Sequence, residues 1–174
     1  MCRTLEKDIM RKNIFSPEGK YGNDSNEWVC YDIVNCYSYA IGLLYDIEHL
    51  NPGEISGKRR RRQYTDEELL ENVKSDMQVL GITMRESTLE EVVDERNAWK
   101  IAVMNTGVMN DVTRYDYHFL KQCSNGRWYQ KIPYDQFPTE YDSRSRIITN
   151  PEDAKYPYNY HLVGYFVICK VEQI

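Results

Sequence analysis

The sequence predicts an α+β fold, with helices from the first half packed on a mostly antiparallel sheet built from the second. Three observations carry this. Apolar residues recur at helical spacing in two stretches between positions 33 and 80. From Trp99 onward the period changes to two, in four segments bounded by Gly, Asn and Pro. Helices then strands, without strand–helix–strand alternation, is the α+β order. A chain of 174 residues is by default one domain. Residues 1–174 are therefore read as one unit, opening with an irregular arm over 1–27 that carries Gly, Pro, Asn and Ser without periodicity.

The first helix is expected from Ile33, with apolar residues at 33, 37, 40, 41 and 44. Asp32 and Asn35 are both good N-caps. Pro52 and Gly53 are the expected stop. A polar loop follows over 51–63. The second helix opens with a capping box, Thr65 with Glu68. Leu69, Leu70, Val73, Met77 and Leu80 form its apolar face, and Gly81 ends it. A shorter helix is predicted at "STLEEVVDERNA", capped by Ser87 or Thr88. Strands are predicted at 99–105, 115–122, 126–132 and 161–171. The last is apolar on both faces and so interior to the sheet. Residues 133–160 hold four prolines; a connection that long usually serves a function or covers something.

Composition limits the function. The net charge of −5 argues against nucleic acid as the main ligand. The run Lys58 to Arg62 is the exception, read as a solvated basic loop. Fifteen tyrosines suit either a recognition groove or half-buried strand positions. Those considered are Tyr31, Tyr37, Tyr39, Tyr115, Tyr117, Tyr129 and Tyr134. The cysteines, at 2, 30, 36, 123 and 169, have no regular spacing and no CxxC pair, which suggests neither a zinc framework nor a disulfide scaffold. A Cys123/His161/Cys169 metal site has no supporting spacing, and no cofactor is implied. The N-terminus lacks the apolar core of a signal peptide, and no apolar run reaches a membrane span. The expected compartment is reducing and soluble: the cytoplasm, or a host cytoplasm for a phage product or effector.

Two residues carry the candidate chemistry. With Asn35 as cap, Cys36 is the first residue of its helix, where free N–H groups and the dipole lower a thiol pKa and can stabilise an oxyanion. A buried structural cysteine is the competing interpretation. Cys36 is expected to be partly accessible, and Cys169 to be core. His118 lies in "YDYHFLKQ", where alternation places Asp116, His118 and Leu120 on one face. If the Cys36 helix packs on that face, His118 can take the thiol proton. A third polar group would hold its tautomer: Gln130 on the partner strand, then Asp116, Asn150 or Asp153. Gln130 shares the His118 face only if the hairpin loop is Ser124-Asn125-Gly126, with Gly126 left-handed; a two-residue Asn-Gly turn would reverse it. We expect the three-residue loop. His49, near a helix end, and His161, at a strand edge, are read as structural.

A cysteine starting a helix, further helix, then a β-hairpin bearing His and a polar residue about a dozen positions later resembles the papain-like cysteine peptidases. The compact NlpC-type amidases and endopeptidases are nearest in layout. "NCYSYAIG", "DYHFLKQCSNGRWYQK", "ITNPEDA" and "VGYFVICK" also resemble a family of bacterial and phage proteins with NCY-YA and DYHWYRQ-type motifs. These stretches cover about a quarter of the chain. The resemblance implies a papain-like fold and amide-bond hydrolysis or transfer through a Cys36 thioester, with His118 as base and Gln130 third. The substrate would be a peptide, a peptidoglycan stem or a protein glutamine. Two positions depart from the pattern: the NlpC-type "DCSG" is "NCYS" here, and the family's third histidine is Gln130. Glutamine can accept from an imidazole N–H but cannot stabilise an imidazolium by charge. The alternative is a non-catalytic effector that blocks a host protein with the same scaffold.

Overall fold

Helix α1 is much shorter than its apolar spacing predicts. It runs Cys36–Ala40, because Gly42 takes φ 75° and closes it. The Leu43 N–H donates to the Ser38 carbonyl and the Gly42 N–H to that of Tyr39, the paired bonds of a Schellman motif. The structure, a computed structural model, describes residues 34–43, 49–95, 97–133, 135 and 137–170. The arm over 1–27, together with Cys2, Cys30, Tyr31, Asp32 and Tyr134, lies outside the described residues.

Helix α2, Asp66–Val79, has the expected reciprocal capping box of Thr65 and Glu68, and Gly81 follows it with φ 67°. Leu69, Val73 and Met77 are buried. The chain then turns straight into a strand that the sequence reading missed. Strand β1, Ile82–Ser87, lies beside β5, with Ile82 opposite Lys170 and Ser87 opposite Tyr165.

The helix expected at 87–98 does not form. Its cap is real, since the Glu91 N–H donates to Thr88 Oγ1. The buried Lys100 ammonium, however, reaches the carbonyls of Leu89 and Glu91, which the next helical turn would use. Arg85 also draws Glu91 and Glu95 into ion pairs. Local propensity loses to a strand lysine that needs acceptors.

The remaining strands are β2 (Ala98–Asn105), β3 (Tyr117–Gln122), β4 (Trp128–Gln130) and β5 (His161–Lys170). They form an antiparallel sheet in the order β1-β5-β2-β3-β4, so β5 is interior as expected. The whole is a helix-and-antiparallel-sheet α+β fold. The hairpin takes the three-residue loop: the Cys123 N–H donates to the Arg127 carbonyl, Gly126 has φ 77°, and Leu120 opposes Gln130.

The two sheet faces have separate cores. On one, Tyr37, Leu69, Val73 and Met77 of the helices join Ile101, Val103, Phe119 and Phe166. On the other, Ala102, Leu120, Trp128 and Tyr165 are covered by Ile148 and Tyr156 of the long Pro-rich segment. His118, two residues before Leu120, and Gln130, directly opposite Leu120, belong to this second face. The expectation that the helices pack on the His118 face is therefore corrected: a strap, residues 139–160, covers it. Asp142 organises the strap. Its carboxylate accepts from the N–H groups of Arg144, Arg146 and Lys155. Burial would raise its pKa, but the N–H groups of Lys155 and Arg144 and the Arg144 guanidinium hold it below the ordinary range.

Among the described residues no helix is long and apolar enough to cross a membrane. The tyrosines considered from the sequence divide. Tyr37, Tyr39 and Tyr129 are buried core, whereas Tyr115 and Tyr117 are half-buried.

Candidate functional site

Asn35, not Asp32, is the cap seen for α1: its Oδ1 accepts from the Ser38 N–H at 2.9 Å, and its Nδ2 donates to the Leu50 carbonyl at 2.6 Å. Cys36 is thus the first residue of α1. Tyr37 anchors the helix from the other side. Its ring sits 5.0 Å from Phe119, and its hydroxyl donates to the buried Asp76 at 2.8 Å. Trp99 Nε1 donates to the Ala40 carbonyl at 2.7 Å. The β3–β4 ladder ends at the Leu120–Gln130 pair, and the Phe119 N–H just beyond it interacts with the Cys36 thiol. Cys36 belongs to the helical-face core, and at the sheet edge, where β4 leaves β3, it also lines a cavity shared with His118 and Gln130.

His118 meets Gln130 as the register requires. Imidazole Nε2 and Gln130 Oε1 are 2.7 Å apart, and Gln130 Nε2 donates to the Tyr141 carbonyl at 2.7 Å. These two bonds assign the tautomer. The Gln130 amide nitrogen is committed to a carbonyl, so its oxygen faces the ring and must accept. His118 therefore carries its proton on Nε2 and keeps a lone pair on Nδ1. The Gln130 backbone is held as well, by paired bonds with Thr139 at 2.8 and 2.9 Å. The ring lies against two strap tyrosines, stacked on Tyr160 at 5.6 Å and edge-on to Tyr156 at 5.5 Å. The Tyr160 hydroxyl donates to Asp116.

Cys36, His118 and Gln130 line one cavity of about 700 Å³. Asn35, Asp116 and the strap tyrosines complete its wall, with Arg60 from the basic run at one side. Of the other proposed orienters, Asn150 and Asp153 do not line this cavity. Asn150 accepts from Tyr165 and donates to Asp153, each at 2.8 Å. Asp116 lies in the cavity, but its Oδ2 is engaged by Tyr160.

Two expectations about the thiol are overturned. Cys36 is 6% exposed, while Cys169 is half-buried, the reverse of the expected order. The Cys36 pKa is not lowered but pushed up to about 12. Burial is the main cause and the Asp116 carboxylate the second; the N–H groups of Phe119, Tyr37 and Cys36 pull weakly the other way. Magnitudes explain the outcome. A helix terminus contributes up to about 2 kcal/mol in favourable geometry. The upward shift corresponds to about 4 kcal/mol against the thiolate. Burial also lowers the His118 pKa, with Gln130 and Asp116 opposing. Burial thus favours the neutral form of both side chains.

His49 is exposed at φ 54° and lines the cavity, a placement its structural assignment did not anticipate. His161, at the start of β5, contacts Asp66 at 2.8 Å, as a strand-edge residue should. Cys123 is buried beside Tyr39, with 3.9 Å from its sulfur to the hydroxyl. Among the described residues no group of His, Cys, Asp or Glu is arranged to hold a metal. The strap tyrosines were missed because they sit in an aperiodic segment; its length and prolines were the available signal.

Compared with protein-family models, with curated proteins and with solved structures, the chain matches none.

Proposed function

We propose that this protein is a cysteine-dependent amide hydrolase or acyltransferase on a papain-like scaffold, with Cys36 as nucleophile, His118 as general base and then acid, and Gln130 as the positioning residue. The observation that supports this best is the Gln130 amide, fixed by Tyr141 so that the His118 lone pair stands on Nδ1 in the cavity that also holds Cys36. With both groups neutral at rest, the thiol ionises only as it reacts. Its proton passes to His118 Nδ1 as sulfur adds to the substrate carbonyl carbon. The tetrahedral intermediate then collapses, the C–N bond breaks, and His118 returns that proton to the leaving amine. Water or an acceptor amine attacks the resulting thioester, giving its proton to His118, and the thiol is restored. Gln130 accepts from the imidazolium without a charge of its own, a weaker support than a carboxylate supplies.

A second reading, a non-catalytic effector that occupies a host protein, is favoured by one observation: the thiol is buried and its pKa is high. A pair of reagents separates the two. A small alkylating agent should modify half-buried Cys169 faster than Cys36. A peptidyl ketone, shaped like a substrate, should label Cys36 fastest, and His118→Ala should abolish that labelling. If the peptidyl ketone prefers Cys169 as well, the enzymatic reading fails and the effector reading stands.

A further inference from the structure

A second cleft, about 600 Å³, opens beside the first and shares Asn51, Arg60, Asp116 and Tyr117 with it. Its far side is lined by Arg61, Arg62 and Tyr115. The run that the sequence alone marks as a solvated loop is thus part of a wall. Lys58 is paired with Glu71, and Arg61 with Glu68. Among the described residues Arg60 and Arg62 pair with no carboxylate. The acidic group facing the cleft, Asp116, is already engaged by Tyr160. In a chain of net charge −5, guanidiniums without a carboxylate partner therefore line one concave surface continuous with the Cys36 cavity.

We propose that this arginine cleft is the subsite for a carboxylate of the substrate, so that the protein acts on acidic peptides whose anionic group lies a few residues from the amide at Cys36. The inference rests on the reading of Cys36 as nucleophile. Guanidinium groups match carboxylates with two parallel N–H bonds, and the shared wall lets one extended peptide occupy both hollows. The carboxylate has two sources, an acidic side chain or a free C-terminus.

The test uses the full chain and three peptidyl ketones of equal length: one with an internal glutamate, one with glutamine in its place, and one neutral with a free carboxyl end. Labelling of Cys36 is followed by mass spectrometry in the wild type and in an Arg60→Gln/Arg62→Gln variant. We expect one acid-bearing probe to label about tenfold faster than the glutamine probe, with the ratio falling toward one in the variant and in high salt. Whichever acid-bearing probe gains identifies the source. Equal rates for all three in the wild type would overturn the arginine subsite while leaving Cys36 as nucleophile. If no probe labels Cys36, anisotropy with the same peptides lacking the ketone decides: glutamate-dependent binding lost in the variant supports the subsite, and equal binding overturns it. Tighter binding of a single-stranded oligonucleotide than of any acidic peptide would also overturn it.

Discussion

On one face of the sheet, two capped helices lay apolar side chains on Ile101, Val103 and Phe119; on the other, a strap without regular structure covers Leu120, Trp128 and Tyr165. The helical face satisfies its backbone internally, so its side chains are free to be apolar. The strap cannot do so, and it recruits Asp142 to accept N–H groups that a helix would have paired. That need brings polar and aromatic groups onto the same face, and they hold His118 and Gln130. A regular face supplies stability and fixes α1; an irregular face supplies the polar wall; the candidate site lies at the sheet edge where they meet.

The sharpest break of this comparison is at the meeting point. Cys36→Ala and His118→Ala should each lower turnover or probe labelling by roughly 10³-fold or more, and the double variant should lose no more than either alone. On the proposed roles Gln130→Ala should cost less, since Gln130 would position the ring without reacting. Additive losses would show that the two faces contribute separate functions.

Next in size is the stability contrast. Leu69→Ala on the helical face should cost about 2–5 kcal/mol and lower protection from hydrogen exchange across the whole sheet. Asp142→Asn on the strap face should expose amides of 139–160 first, leaving α2 protected. Uniform loss in both variants would mean that the strap and the helices unfold as one unit.

A smaller effect is expected at the hairpin that keeps Gln130 on the His118 face. Gly126→Ala forces a side chain into left-handed φ 77° with nothing nearby to clash, so it should cost about 1–2 kcal/mol through the backbone alone. A chemical-denaturation midpoint would measure it. If cross-strand NOEs move from Cys123–Arg127 to Ser124–Arg127, the glycine also sets the register.

Acid should separate the faces too. His118 has its pKa lowered by burial, so labelling should rise as the ring deprotonates, with an acid limb below about 6.5. Below that value the unfolded chain takes up a proton that folded His118 refuses, and stability falls. Asp142, with a lowered pKa, contributes stability that is present above about 3.9 and lost as pH falls through its folded value. Exchange in 139–160 should therefore accelerate in acid before exchange in α2 does. The smallest effect concerns Lys58 to Arg62. Neutralising all five breaks two exposed ion pairs, each worth about 0–1 kcal/mol, and should move the melting temperature by no more than a few degrees. A larger drop would show that the run supports the fold.

What the sequence determined by itself was local or periodic. Thr65 and Glu68 announced α2 because both halves of a capping box lie within one turn. Alternation identified four of the five strands; the Asn-Gly pair allowed two hairpin loops, and the expected three-residue one, which places Gln130 beside His118, is the one that forms. Asn35 and Cys36 could be read as cap and first turn for the same reason. Tertiary structure decided the rest. Gly42 outweighed an apolar pattern because a left-handed residue ends a helix whatever follows. Lys100, buried on β2, took the carbonyls on which a third helix depended. Which cover lies over His118 was set by packing, since alternation separates two faces without saying what each will meet. The Cys36 thiol was decided the same way. Its place at a helix start is local, but its ionisation answers to the solvent it loses, and that loss comes from strand, strap and Asp116 brought together only by the fold.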